Sequence, residues 1–126
     1  MEKKIISSPL APKAVGTYSQ AVVANGTIYV SGQLPIDAST GEFAPGGVKE
    51  QLHQVFKNLG YILQEAGYSF KDVVKTTVYL ADIADFATLN EVYALYFSEP
   101  YPARVAFQVA ALPKNARVEI DVIAVK

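Results

Sequence analysis

The sequence predicts an α+β domain in which a six-stranded mixed sheet has two helices packed on one face. Three observations lead to this fold class. The chain has 126 residues, a length that suits one domain over 1–126. Two segments have apolar residues at helical spacing, whereas several others are rich in the Val, Ile and Thr typical of strands. Prolines and glycines separate these segments, with no internal repeat and no long linker.

The N-terminal part of the chain is predicted to form a short strand and a hairpin. The strand covers 3–7, and the hairpin joins 19–24 to 27–31 through Asn25-Gly26. Asn-Gly favours a two-residue turn because both residues tolerate positive φ. The segments in which prolines and glycines predict loops are 10–16 and 32–47.

Two helices are predicted in the middle of the chain. Residues 48–66 have apolar side chains at three- and four-residue spacing, and Gly67 follows where a left-handed C-cap is expected. Asp82 is predicted to cap a second helix that runs to about Phe97. Pro100 prevents that helix from continuing.

Three further strands are predicted at 72–80, 103–110 and 118–125. The last two have apolar residues at both alternating positions, so both of their faces are apolar. Since the helices cover one face of the sheet, the other face is expected to be solvated or to meet a second subunit. Charged residues are 18% of the chain, below the roughly 25% usual for soluble domains, which also favours an oligomer.

The composition excludes several classes of protein. A net charge of −1 argues against an electrostatic nucleic-acid binder. Without cysteine, the chain has no disulfide scaffold, thiolate zinc site or thiol nucleophile. No apolar run approaches the roughly 18 residues of a membrane span, and no signal peptide is visible. We therefore expect a soluble cytoplasmic protein that has no membrane partner.

The sequence also lacks several common catalytic motifs. His53 is the only histidine and is predicted on the polar side of the first helix, so a metal site is not expected. There is no GxSxG motif to support a Ser-His-Asp triad, and no glycine-rich phosphate loop.

Two charged residues, one in each of two mostly apolar predicted strands, are candidates for a site. Arg104 is the only charged residue within 101–112, and Glu119 is predicted on the neighbouring strand. A guanidinium in an apolar strand needs an anion. Either Glu119 is that anion, in a buried salt bridge, or Arg104 binds a ligand carboxylate through its planar fork. The residues alone favour the salt bridge, because structural ion pairs also occur in strands.

Other polar groups could belong to the same site. Tyr18 lies where the N-terminal loop enters a strand, although a packing role is the simpler interpretation. Gly32 directly follows a strand and leaves its backbone accessible to a ligand. Asn90 is a mediocre helix former in the middle of the second helix, so it either makes a contact there or faces water.

Five blocks of sequence, taken in order, resemble the RidA (YjgF) family of reactive imine and enamine deaminases. They are GTYSQAV, YVSGQLP, KEQLHQVFKNLGYILQEAG, DVVKTTVYLADIADFATLNEVYALYF and a C-terminal PAR followed by LPKNARVEID. The resemblance implies a chorismate-mutase-like fold, a homotrimer and active sites in the clefts between subunits.

The resemblance also implies roles for particular residues. It makes Arg104 the carboxylate-binding arginine and Glu119 the acid–base residue. It places Tyr18, Gly32 and Asn90 at the substrate, together with the backbone of Ala106. The chain departs from many members at Val105, Ala106 and Ala111, where those members have Ser-Cys and arginine. These changes bear on substrate preference and rate.

The activity implied is hydrolysis of 2-imino acids, or of the 2-aminoacrylate tautomer, to 2-oxo acids and ammonia, with no metal or cofactor. Other functions described for the family give alternatives. One is a regulatory or chaperone-like protein that binds small acids without useful catalysis. Another is a translation inhibitor with ribonuclease activity, which a single histidine and a net charge of −1 fit poorly.

Overall fold

A six-stranded mixed sheet and two helices form the structure, a computed structural model that describes residues 2–126. The helices are α1 (Val48–Glu65) and α2 (Phe86–Tyr96). The strands are β1 (Lys4–Ile6), β2 (Ala21–Ala24), β3 (Thr27–Gln33), β4 (Ile36–Asp37), β5 (Glu42–Phe43), β6 (Val73–Leu80), β7 (Ala103–Gln108) and β8 (Val118–Val125). The predicted α+β class, with two helices and six strands in one sheet, is confirmed.

The strands of the large sheet lie in the order β1-β2-β3-β8-β6-β7. All neighbours are antiparallel except β6 and β7, which are joined by the crossover through α2 and are parallel. Because β6 lies between β8 and β7, the expectation that Arg104 and Glu119 are on neighbouring strands is wrong.

The hairpin of β2 and β3 turns at the predicted residues. Asn25 and Gly26 have φ of 51° and 77°. A Cβ on Gly26 would lie 2.8 Å from the carbonyl oxygen of Lys126, so both the conformation and the space favour glycine. The backbone N–H of Lys126 donates to the Gly26 carbonyl, which fixes the end of β8 beside this turn.

The segment predicted as one long loop at 32–47 contains a small hairpin of β4 and β5. Asp37 stabilises its turn, since the carboxylate accepts from both the N–H and the hydroxyl of Ser39. Strands of two residues leave no alternating pattern to detect in the sequence.

The ends of the helices follow the local signals with one difference. Gly67 has φ of 83° just beyond α1, as the predicted C-cap requires. The Asp82 carboxylate accepts from the N–H of Ala84 at 2.9 Å, but it caps a short 3₁₀ turn at Ile83–Asp85. The α-helix itself begins only at Phe86.

The two faces of the sheet have different environments. Alternate residues of β8, from Val118 to Ala124, are buried beneath the helices. The opposite, open face bears large apolar side chains that stay between 41% and 51% exposed. They include Tyr29, Val105, Phe107 and Val125.

Candidate active site

Arg104 lies on the edge strand β7, opposite Thr76 of β6. Thr76 is buried beneath the helices, so Arg104 also points to the helix-covered side of the sheet. Its guanidinium donates a hydrogen bond of 2.8 Å to the side-chain oxygen of Asn90 on α2. The predicted salt bridge to Glu119 is wrong, because Arg104 is held by a neutral amide instead.

Two aromatic rings of α2 complete the environment of Arg104. Its guanidinium carbon lies 4.9 Å from the ring centre of Tyr93 and 5.3 Å from that of Phe86, within the range of cation–π contacts. The Tyr93 hydroxyl shares a 2.9 Å hydrogen bond with the Thr76 hydroxyl. Burial raises the pKa of Tyr93, so its hydroxyl stays protonated in this contact.

A cavity of about 460 Å³ opens beside Arg104. Arg104 and Asn90 supply polar groups to its wall, and Tyr93, Ala94, Tyr101 and Pro102 supply most of the rest. The ion pairs among residues 2–126 join Arg117 to Asp85 and Lys49 to Glu91, so no carboxylate neutralises Arg104. The pocket therefore presents an uncompensated cation to a small anionic ligand.

Ala106, two residues along β7 from Arg104, faces the same side of the sheet and packs against the core.

Glu119 lies on β8 between the buried residues Val118 and Ile120, so its side chain leaves the open face of the sheet. A β-bulge interrupts the pairing of β3 with β8 between Val30 and Gln33. There the half-buried Glu119 carboxylate lies directly over Gly32, so closely that a Cβ on Gly32 would overlap its Oε2 atom. Glycine is favoured at position 32 by close approach rather than by backbone conformation, because an added Cβ would force the Glu119 side chain to move.

Glu119 occupies an environment that opposes ionisation. Burial, and then the negative charge of Asp121, raise the pKa of Glu119 above its ordinary value. Within residues 2–126, no side-chain or backbone donor forms a hydrogen bond with this carboxylate. Such a group can exchange a proton with a ligand more readily than a carboxylate held by several donors.

Tyr18 lies next to the segment that positions Gly32. The Ser31 hydroxyl donates to the carbonyl of Ser19 at 2.6 Å, and the Ser31 N–H donates to the carbonyl of Gln20 at 2.9 Å. These bonds fix the chain after Tyr18, whose own side chain is 54% exposed. Along the chain, Tyr18 therefore directly precedes the residues that are hydrogen-bonded to Ser31, the neighbour of Gly32.

The predicted site residues thus form two groups in one chain. Arg104, Asn90 and Ala106 lie at the helix-covered edge of the sheet, whereas Glu119 and Gly32 lie on the open side. The sheet itself lies between Arg104 and Glu119.

Phe86 and Tyr93 contact Arg104 but were not singled out in the sequence analysis. The available signal was their spacing. Phe86 precedes Asn90 by four residues and Tyr93 follows it by three, so all three side chains share one helix face. An asparagine between two aromatic residues on one helix face can accept a hydrogen bond from a cationic side chain of a neighbouring strand, while the two rings contact the same cation.

His53 lies between the helices rather than on a polar surface. Its Nδ1 atom is 2.8 Å from the Tyr96 hydroxyl of α2. Within residues 2–126, no group of three His, Asp or Glu side chains is placed to hold a metal ion. Over the same residues, no helix is both long and apolar enough to cross a membrane.

This chain is similar to a known protein family and to proteins that have been named. Residues 8–126 match the family model described as Endoribonuclease L-PSP. The 2-iminobutanoate/2-iminopropanoate deaminase of Rattus norvegicus is 58% identical over 98% of this chain and 90% of its own length. The deaminase of the same name from Homo sapiens is 53% identical with the same coverage.

Solved structures give the same relationship in three dimensions. RidA from an Antarctic Psychrobacter species has a TM-score of 0.93 and 53% identity, over 98% of this chain and 99% of that one. The structure of Escherichia coli TdcF with bound serine has a TM-score of 0.92 and 43% identity, over 98% of each chain.

Proposed function

This chain belongs to the RidA (YjgF) family, that of the Endoribonuclease L-PSP model, and we propose that it hydrolyses reactive 2-imino acids to 2-oxo acids and ammonia. The substrates are 2-iminobutanoate and 2-iminopropanoate, the latter together with its 2-aminoacrylate tautomer. Relatives that are named for this reaction match the chain over nearly its full length. The observation that supports the proposal in the geometry is the uncompensated Arg104 guanidinium beside an open pocket.

Arg104 is the anchor for the substrate carboxylate. A guanidinium binds a carboxylate through two parallel hydrogen bonds, and its other contacts here are a neutral amide and two rings. Asn90 and the two rings hold the Arg104 side chain in place before the substrate arrives. Less conformational entropy is therefore lost on binding. The backbone of Ala106 belongs to the part of the site that contains Arg104.

Glu119 handles the protons of the reaction. Water adds to C2 of the protonated imine, and Glu119 accepts a proton from that water. The product of this step is a carbinolamine. Glu119 returns that proton to the nitrogen, the C–N bond breaks, and the hydroxyl proton leaves with the nitrogen as ammonium. One water and one iminium become one 2-oxo acid and one ammonium ion, so no cofactor or metal is needed.

The active site lies between two copies of the chain, and the assembly is a homotrimer. The sheet separates Arg104 from Glu119 within one chain, and the exposed apolar face of the sheet supplies a surface for the contact. Tyr18, Gly32 and Glu119 of one copy complete the pocket that holds Arg104 and Asn90 of the next. Sedimentation equilibrium should give about three times the chain mass of 13.6 kDa.

A mixing experiment tests the shared site directly. Arg104→Ala and Glu119→Gln are each expected to keep about 1% of the parental activity or less when alone. When the two variants are co-expressed, about a quarter of the sites combine a native Arg104 from one copy with a native Glu119 from the other. Recovery of a similar fraction of activity is expected, whereas no recovery would mean that each site belongs to one chain.

The reaction itself is tested by generating the imine with a dehydratase and following oxo-acid formation with and without the protein. No acceleration would leave the alternative of a small-acid binder, which the serine-bound relative favours. We place the activity in the cytoplasm, because a chain without cysteine suits a reducing compartment.

A further inference from the structure

The open face of the sheet holds a second carboxylate that the proposed reaction does not use. Asp121 is two residues from Glu119 on β8, so both side chains leave the same face. The large side chains around them on this face are mostly apolar, including Phe107 and Val105. A hydrogen-bond donor stabilises a carboxylate in such surroundings.

Tyr79 of β6 is that donor. It lies directly opposite Glu119 in the ladder, yet its hydroxyl reaches diagonally to the Oδ2 atom of Asp121 at 2.8 Å. Its ring meets Phe107 edge to face, with centroids 5.6 Å apart, which fixes the direction of the hydroxyl. The hydrogen bond to Asp121 raises the pKa of Tyr79 to about 12, so the phenol keeps its proton and Asp121 remains the acceptor.

We propose that Asp121 and Tyr79 are positioning residues that set the protonation of Glu119. Asp121 acts through its negative charge, and Tyr79 acts by fixing where that charge lies. The inference rests on the proposed function, in which Glu119 takes a proton from water and gives it to the leaving nitrogen. An acid–base group works best when its pKa is near the working pH, and a nearby negative charge moves a carboxyl in that direction.

Few other charges face Glu119 on this side of the sheet. Strand β7 contributes apolar Val105 and Phe107 there, and β3 contributes Gly32 at the point of closest approach. In the proposed assembly, Arg104 of the adjoining copy faces Glu119 as well. The titratable groups of the strands on the same side are Asp121 of β8, Tyr79 and Lys75 of β6, and Tyr29 of β3.

The test is a direct titration of Glu119 by carbon NMR of its side-chain carboxyl, with Glu119→Gln used to assign the resonance. Asp121→Asn removes the charge but keeps an oxygen for the Tyr79 hydroxyl. We expect the Glu119 midpoint to move to lower pH in Asp121→Asn, because the opposing charge is gone. Tyr79→Phe keeps the ring and frees Asp121, so the midpoint should move in the same direction by less.

Glu42→Gln is the matched control, since it removes one carboxylate from an exposed position on β5. The Glu119 midpoint should not move in this variant. An unchanged midpoint in Asp121→Asn overturns the inference, and a shift to higher pH in Tyr79→Phe overturns the role of Tyr79. Neither result depends on turnover, so failure of the inference is distinct from failure of the proposed reaction.

Kinetics supply a second readout that a merely structural role would not move. If Glu119 is needed as a base, the acidic limb of the kcat/KM profile falls at its pKa. If it is needed as an acid, the alkaline limb does. In both cases that limb should move to lower pH in Asp121→Asn, while thermal unfolding of the variant stays close to that of the parent. A uniform loss of rate with a lowered melting temperature and unmoved limbs would mean that Asp121 is structural.

Discussion

The Arg104 side and the Glu119 side of the sheet differ in how firmly one chain holds the charged group. Arg104 is fixed by Asn90, Phe86 and Tyr93, all from α2 of its own chain. Glu119 lies over Gly32 beside another negative charge, without a hydrogen-bond donor among residues 2–126. A side chain that binds a ligand is more effective when it is held in place in advance. A side chain that exchanges protons is more effective when its surroundings allow both its charged and its neutral form.

The largest expected effect comes from removing proton exchange on the Glu119 side. Glu119→Gln keeps the size of the side chain but removes the proton acceptor, so kcat should fall by roughly 10² to 10⁴. Affinity for a stable 2-oxo acid should change little, because Arg104 still binds its carboxylate. Isothermal titration and steady-state kinetics on one preparation measure both quantities. Unchanged turnover would assign the proton chemistry to another group.

Replacing the anchor should have the next largest effect. Arg104→Lys keeps the charge but loses the planar fork and its stacking on Tyr93, so kcat/KM should fall by about 10²-fold. Arg117→Lys is the matched control, because Arg117 is the other arginine of the chain and pairs with Asp85 away from the pocket. Equal losses in the two variants would mean that Arg104 has no special contact with the substrate.

A smaller loss is expected when the Glu119 carboxylate is displaced rather than removed. Gly32→Ala places a Cβ where Glu119 Oε2 lies, and the carboxylate must move. Because a displacement of about 1 Å can be costly to a reacting group, kcat should fall roughly tenfold to a hundredfold. Gly47→Ala is the control, since the nearest atom to its added Cβ is 3.8 Å away. A Gly32 variant with full activity would show that Glu119 has room to adjust.

The smallest effect is expected outside both groups. Asp85 accepts two hydrogen bonds from Arg117, at 2.9 and 3.1 Å, and the Arg117 side chain is 43% exposed. Asp85→Asn should lower the free energy of unfolding by about 1 kcal/mol, because solvent screens the Arg117 end of the pair although the Asp85 side chain is only 14% exposed. Urea unfolding measures this change, and imine hydrolysis should keep its parental rate. A large loss of activity would connect this ion pair to the site.

The parts of the fold that depend on local chemistry could be predicted from the sequence. Asn25-Gly26 turns the hairpin and Gly67 ends α1, because each requires a backbone conformation that few residues adopt. The order of the strands could not be predicted in this way. Placing β6 between β8 and β7 is a long-range property that no single segment determines.

The residues of the candidate site could be singled out from the sequence, but their arrangement within one chain could not be derived from the residue pattern. Arg104 and Glu119 stand out because each is a charge in a mostly apolar strand. Apolar residues stand at both alternating positions of β7, so alternation alone could not tell which face of that strand the helices cover. For that reason a salt bridge within one chain was a reasonable expectation, and only the sheet that separates the two residues excludes it.

The separation of the two groups by the sheet also has a consequence for inheritance. In a cell that expresses a normal and an altered gene, a chain altered only at Arg104 still completes the neighbouring site with its Glu119. A chain altered at both positions disables each of the two sites to which it contributes. In the proposed assembly, such an allele is therefore more strongly dominant than either single alteration, even though every chain folds and assembles normally.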